Sequence, residues 1–146
     1  MKAIYFDMDG TIADLYAVDG WLSMLRAYDA SPYRNAAPML NMNTLARRLN
    51  ALQRAGWHIG IVSWLSKCSN EDYDTAVAEA KMRWLHQHLA SVHFDEYHFL
   101  PYGTPKQENV RYPEGILFDD EAPNRAAWGE GAHDVDKILA ILKDLM

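Results

Sequence analysis

Two carboxylates, two residues apart, close an apolar run near the start of the chain, where residues 2–11 read K-A-I-Y-F-D-M-D-G-T. Side chains at i and i+2 of a strand share a side, so Asp7 and Asp9 meet where a buried strand gives way to a turn at Gly10 and Thr11. Acids held that way can bind a hard cation, attack an electrophile or pass a proton. The same D-x-D-G pattern occurs in plain turns and calcium loops, so the rest of the chain must decide.

Three further elements do so. Residues 57–62, W-H-I-G-I-V, form a second strand-like run ending in Ser63 and Trp64, and residues 115–118, G-I-L-F, end in Asp119 and Asp120. Between them Lys106 closes the loop P-Y-G-T-P-K that follows the run 97–100. In an open parallel sheet all carboxyl ends line one edge, so acid pair, hydroxyl, lysine and acid pair converge on one crevice.

The ordered set D-M-D-G-T, V-S-W, T-P-K and F-D-D-E resembles the four motifs of the haloacid dehalogenase (HAD) superfamily of aspartate-nucleophile phosphohydrolases and spans positions 7 to 120. The resemblance implies an α/β fold, a Rossmann-like parallel sheet with helices on both faces and a small helical cap inserted after the first strand. It implies magnesium-dependent cleavage of a small-molecule phosphate monoester, with Asp7 attacking phosphorus to give an aspartyl-phosphate. Asp9 would protonate the leaving oxygen and later deprotonate water; the superfamily's dehalogenases and ion-pumping ATPases lack an acid there. Mg²⁺ would be held by the side chains of Asp7 and Asp120 and the backbone carbonyl of Asp9, with Asp119 in the outer shell. Spacing alone leaves open which of Asp119 and Asp120 is the inner ligand. Ser63 and the N–H of Trp64 would hold phosphoryl oxygens, Lys106 would offset their charge, and Thr11, Trp64 and Trp21 are the expected substrate contacts. Lys67, four residues beyond Ser63, is a rival cation; Lys106 is preferred because the family's lysine follows the middle helix and precedes the last acid pair.

The chemistry asks for the same parts. A phosphate monoester is anionic and hydrolyses very slowly, so catalysis needs a cation, an in-line nucleophile and a proton source for the leaving alcohol. Magnesium prefers about six oxygen ligands and keeps several waters, which suits a few carboxylates and a carbonyl. The competing class is a phosphoacceptor receiver module, which uses similar residues in another order: its acid pair comes first and its acceptor aspartate in the middle. Here D-x-D comes first and D-D last, and Asp9 has no purpose in a module that keeps its phosphate.

Length and composition set the frame. The 146 residues, 49% hydrophobic and 23% charged, suit one compact domain, in which the resemblance makes the surplus at about 15–40 the cap. No apolar run is long enough to span a bilayer, and the first strand begins where a signal peptide would lie. A single cysteine, Cys68, excludes an internal disulfide, so a cytoplasmic setting is expected. The net charge of −6 argues against a general grip on nucleic acid.

Helices must position these strand ends. Val18, Trp21, Leu22, Leu25 and Tyr28 follow helical spacing, and residues 31–38, S-P-Y-R-N-A-A-P, break it. Leu45, Leu49 and Leu52 mark a helix started by Asn43 and stopped by Gly56. Another starts at Ser69 and shows Tyr73, Val77, Ala80, Trp84 and Leu85; the last is capped by Asp134 and shows Val135, Ile138, Leu139 and Leu142. The stretch 131–133 is too short and polar to predict a strand. His86, His88, His93 and His98 lack zinc-ligand spacing, Trp57 and Trp84 read as packing residues, and Cys68 has no paired base. Brevity and the extra helix resemble the deoxyribonucleotidase-like branch of the superfamily, which implies a nucleotidase.

Overall fold

The computed structural model describes residues 1–146. The central strand β1 (Ala3–Phe6) is buried at all four positions. A continuous apolar run is what a strand covered on both faces requires. Residues 13–40 then form two short strands, β2 (Ala13–Asp14) and β3 (Ala37–Pro38), paired antiparallel around the helices α1 (Trp21–Arg26) and α2 (Ser31–Asn35). After α3 (Met42–Arg54) come β4 (His58–Trp64), α4 (Glu71–His88), β5 (Glu96–Leu100), β6 (Ile116–Phe118), α5 (Ala122–Trp128), β7 (Ala132–His133) and α6 (Ile138–Leu145).

The main sheet has the order β5-β4-β1-β6-β7, and every pairing in it is parallel. Register places Phe6 beside Ile61 on one side and Phe118 on the other, so β1, β4 and β6 present their carboxyl ends together. From β1 the chain winds outward through β4 to β5, then returns across β1 to β6 and β7. Right-handed crossovers therefore put α3 and α4 on one face and the return loop with α5 on the other. The reversal of winding beside β1 is a switch point, where such sheets open a crevice.

The thicker face buries Ile4, Phe6, Ile59, Ile61 and Phe118 against Leu45, Leu49 and Leu52 of α3, Trp84 and Leu85 of α4, and Ile138 and Leu142 of α6. Each such side chain contributes about 1.5–3 kcal/mol by leaving water. The thinner face sets Ala3, Tyr5, Val62 and Leu117 against Trp128, whose indole N–H donates to Gly115 O at 2.9 Å. No helix is long and apolar enough to cross a membrane.

Several boundaries differ from expectation for local reasons. Residues 31–35 are a short helix rather than a break, because Pro32 lies in the first turn, where an N–H has no helical partner to lose. Asn41, not Asn43, caps α3 by accepting from Thr44 N–H at 3.0 Å. Asn70 caps α4 through Tyr73 N–H at 2.8 Å, while the Ser69 hydroxyl goes to Asp74. The stretch 131–133 does carry a strand: β7 is defined by backbone bonds, Leu117 N–H to Gly131 O at 3.0 Å and Asp119 N–H to His133 O at 3.2 Å, rather than by apolar burial.

Residues 15–40 pack on the first half of α4, where Leu15, Leu25, Ala30 and Tyr33 meet Tyr73, Val77 and Ala80. The Tyr73 hydroxyl donates to Asp29 O at 2.9 Å and the Trp84 indole to Ala36 O at 2.8 Å, fastening both ends of α2 to one helix.

Candidate active site

Asp7, Asp119 and Asp120 follow directly on β1 and β6, which lie side by side, so one oxygen from each carboxylate falls within 4.8 Å of the others. Lys106, just beyond the 101–105 loop, reaches between them: its ammonium lies 3.0 Å from Asp7 Oδ1 and 2.6 Å from Asp119 Oδ2. Asp119 is fully buried and well supplied with donors, since Glu121 N–H serves Oδ1 at 3.0 Å and Asn124 adds to Oδ2 at 3.3 Å. Asp120 is only partly buried, and the one hydroxyl near its carboxylate, that of Thr11 at 3.3 Å, has a single proton that goes to the closer Asp7 Oδ2.

The electrostatics follow from that placement. Burial pushes the Asp7 carboxyl up, but the Lys106 charge beside it prevails and holds it below the usual carboxylate range. Burial, then the Asp7 charge, push Asp120 up to about 8 and Asp119 to about 6. Lys106 is raised: burial works downward, and Asp7 and Asp119 outweigh it. Burial also lifts Asp9 above its ordinary value, against the pull of Lys81.

Lys81 is the residue the sequence reading missed. It lies on α4, is 1% exposed, and places its ammonium 2.7 Å from Asp9 Oδ2, 2.7 Å from Ser63 Oγ and 2.8 Å from Trp64 O. The signal was present: position 81 falls between Val77 and Trp84 on the apolar face of α4, and a lysine on such a face must find a buried counter-charge.

The other candidates divide by place. Ser63, expected to hold phosphoryl oxygens, is 0% exposed and accepts from Lys81; the wall of the cleft beyond it is made by Trp64, Leu65 and Ser66. Thr11, expected to touch substrate, is buried, donates to Asp7 Oδ2 at 2.9 Å and accepts from Asp120 N–H at 3.2 Å, so it positions both acids. Gly10 supports the same corner, with φ +79° and a vacant Cβ position only 2.4 Å from Asp120 Oδ2. Trp64 bonds Thr104 O at 2.7 Å and carries Lys106 5.3 Å above its ring, which pins the lysine loop. Lys67 lines the cleft but is exposed and points over Tyr102, 5.9 Å from that ring, so the ion pairs to Asp7 and Asp119 belong to Lys106.

Above the acids opens a cleft of about 650 Å³. Tyr16, Trp21, Leu22 and Arg26 from residues 15–40 form one wall and Trp64 and Tyr102 belong to another, with Asp7, Asp9 and Lys106 among the lining groups. Tyr16 and Trp21 meet edge to face at 5.0 Å, and Trp64 and Tyr102 are 5.0 Å apart.

A parallel five-stranded sheet wound in both directions from a central strand is a Rossmann-like α/β fold. The solved structures agree. A D,D-heptose 1,7-bisphosphate phosphatase from Burkholderia thailandensis superposes with a TM-score of 0.60 at 13% identity, covering 99% of this chain and 97% of that one. The D,D-heptose 1,7-bisphosphate phosphatase from B. bronchiseptica, complexed with magnesium and phosphate, gives 0.61 at 14% identity over 99% and 98%. A chain of the Pnkp1/Rnl/Hen1 complex gives 0.60 at 18% identity over 92% of this chain and 45% of that one. At such identities the likeness is one of fold. By sequence, no family model matches the chain and no curated protein matches it.

Proposed function

We propose that the protein is a magnesium-dependent phosphohydrolase that cleaves a phosphate monoester through an aspartyl-phosphate on Asp7. The observation that carries this is the Lys106 ammonium bridging Asp7 and Asp119 while Asp120 stands beside them nearly without donors. Fixed by Lys106 and Thr11, the Asp7 carboxylate is held ionised and aimed, as a nucleophile must be. Asp9, at the cleft and raised above the ordinary carboxylate range, suits a group that gives a proton to the leaving oxygen and recovers one from water.

A divalent cation fits the donor set. Four carboxylates face two ammonium groups here, and burial together with the Asp7 charge forces Asp120 upward. Asp7 and Asp120 would hold the ion through their side chains and Asp9 through its carbonyl, while Asp119, already saturated by Lys106 and Glu121, keeps the lysine in place. When bound, magnesium neutralises phosphoryl oxygens and lowers the repulsion that an anionic ester meets on entry. Support comes from the magnesium and phosphate in the B. bronchiseptica phosphatase of like fold.

The cleft is several times larger than a phosphate and walled by aromatic rings, so the alcohol part is bulky and planar, as in a nucleotide. Hydrolysis of a panel of phosphate monoesters, with 3′- and 5′-nucleotides and sugar phosphates beside a simple aryl ester, tests both parts. Turnover is expected with magnesium, lost in excess chelator and inhibited by calcium, whose irregular coordination lets Asp7 bind through both oxygens. Undiminished turnover in chelator would end the metal assignment. Stable stoichiometric phosphorylation without release of phosphate would make the chain a receiver.

A further inference from the structure

We infer that Lys81 is a positioning residue for proton transfer, holding the Asp9 carboxylate at the cleft by tying it to the end of β4. The inference rests on the function proposed above. An ammonium has three N–H donors and no acceptor. Those of Lys81 meet three acceptors at 2.7, 2.7 and 2.8 Å, namely Asp9 Oδ2, Ser63 Oγ and Trp64 O, so none remains for a phosphoryl oxygen. At 1% exposure it does not line the cleft either. It therefore acts on substrate only through Asp9.

What it does there follows from its anchors. Ser63 is fully buried and Trp64 O belongs to β4, so two of the three bonds fasten the ammonium to the sheet, and the Tyr33 ring closes over it at 5.2 Å. The third bond takes one oxygen of Asp9. The other oxygen has no partner in the protein, and Asp9 lines the cleft. Asp9 lies beyond the end of β1, where a bridge to Ala13 in the turn holds its backbone and Lys81 Nζ takes one oxygen of its side chain. Lys106 serves Asp7 and Lys81 serves Asp9: the nucleophile and the acid have separate cations from separate elements.

Proton donation matters only when the leaving group needs it, which gives a test with a readout that general destabilisation would not produce. The quantity is kcat/KM, which reports the steps through departure of the alcohol, measured on esters from dinitrophenyl to alkyl phosphates for wild type, Asp9→Asn, Lys81→Met and the double variant. Lys81→Met is expected to lose on the order of 10² on alkyl esters, within the usual worth of a positioned acid, and only a few-fold on dinitrophenyl phosphate. The double variant should be no worse than Asp9→Asn alone. Ser63→Ala, which removes one anchor and no charge, should show the same leaving-group trend at smaller size, and it decides the matter if Lys81→Met fails to fold. An equal loss on every ester, or additive losses in the double variant, overturns the inference while leaving the phosphohydrolase intact. Wild-type protein that releases no phosphate, or Asp7→Asn that still turns over, removes the function and this role together.

Discussion

On the thinner face of the sheet, the Glu96 carboxylate is met by the Tyr5 hydroxyl, His58 Nε2 at 2.7 Å, His98 Nε2 and the Arg111 N–H at 3.3 Å. Tyr5 of β1 reaches it across β4 because position 60 is glycine; a Cβ there would lie 2.7 Å from the tyrosine ring. At the carboxyl edge of the same sheet, Asp120 has near it only the Thr11 hydroxyl at 3.3 Å, whose proton goes to Asp7, and the Asp7 carboxylate. Burial works upward on both acids. At Glu96 the hydrogen bonds from Tyr5, His98 and His58 overcome it and the carboxyl falls below its ordinary value; at Asp120 nothing does, and it climbs to about 8. A buried acid whose lone pairs are filled by protein joins strands. One left short has lone pairs open to a ligand the chain does not supply.

The contrast is broken most directly at Asp7, the proposed nucleophile. Asp7→Asn is nearly isosteric, so the fold should persist while turnover drops by about 10⁴-fold or more, as when other nucleophiles are removed. Steady-state hydrolysis with circular dichroism alongside checks it, and activity within a few-fold of wild type would end the aspartyl-phosphate route.

Next come two substitutions with opposite signs. Glu96→Gln removes the charge that several donors share and should cost about 1–3 kcal/mol at neutral pH, read by denaturant unfolding. Because the folded-state value of Glu96 is depressed, its contribution is present above about 4.5 and is lost as pH falls through the folded value, so variant and wild type should converge in acid. Asp120→Asn, in chelator, should raise the melting temperature. An acid whose folded value is raised from 3.8 to about 8 favours folding below the lower value and costs stability progressively as pH rises toward the upper one. The gain should therefore be largest at about pH 8 and vanish near pH 4. A destabilising Asp120→Asn under those conditions would place Asp120 with Glu96 among structural acids.

The same distinction sorts the tryptophans and gives the smallest effect. The indole N–H groups of Trp64, Trp84 and Trp128 each bond a backbone carbonyl, whereas that of Trp21 has no partner in the protein and its ring lines the cleft. Trp21→Ala should raise KM about tenfold for nucleotides and leave the smallest esters nearly unchanged, since remote binding is open only to substrates that reach it. A uniform loss with a lowered melting temperature would make Trp21 a packing residue.

Much of the fold was legible because strands buried on both faces write themselves as apolar runs: A-I-Y-F and H-I-G-I-V lie where β1 and β4 do, and the acids follow at their ends. The convergence of Asp7, Lys106, Asp119 and Asp120 came with it, because parallel topology lines up strand ends whatever the side chains. Lys81 was harder, since a lysine in a helix usually marks solvent and only its apolar neighbours betrayed its burial. The placement of Ser63 depended on that same lysine. Strand β7 escaped because two residues of backbone pairing leave no hydropathy pattern, and α2 because proline reads as a breaker until its position in the first turn is known.

Helix α4 carries three duties along one axis: Tyr73 and Val77 under residues 15–40, Lys81 at the acid, Trp84 and Leu85 in the main core. On the proposed function, the wall that would meet the alcohol and the lysine that would aim the proton donor are thus mounted on the same rod. Such a wall is not a detachable module: exchanging it wholesale would shift the seat of α4 and misalign chemistry along with recognition. Divergence toward new alcohols has a narrower route, through side chains such as Tyr16, Trp21, Leu22 and Arg26 that face the cleft while Leu25 and Tyr33 stay as fastenings.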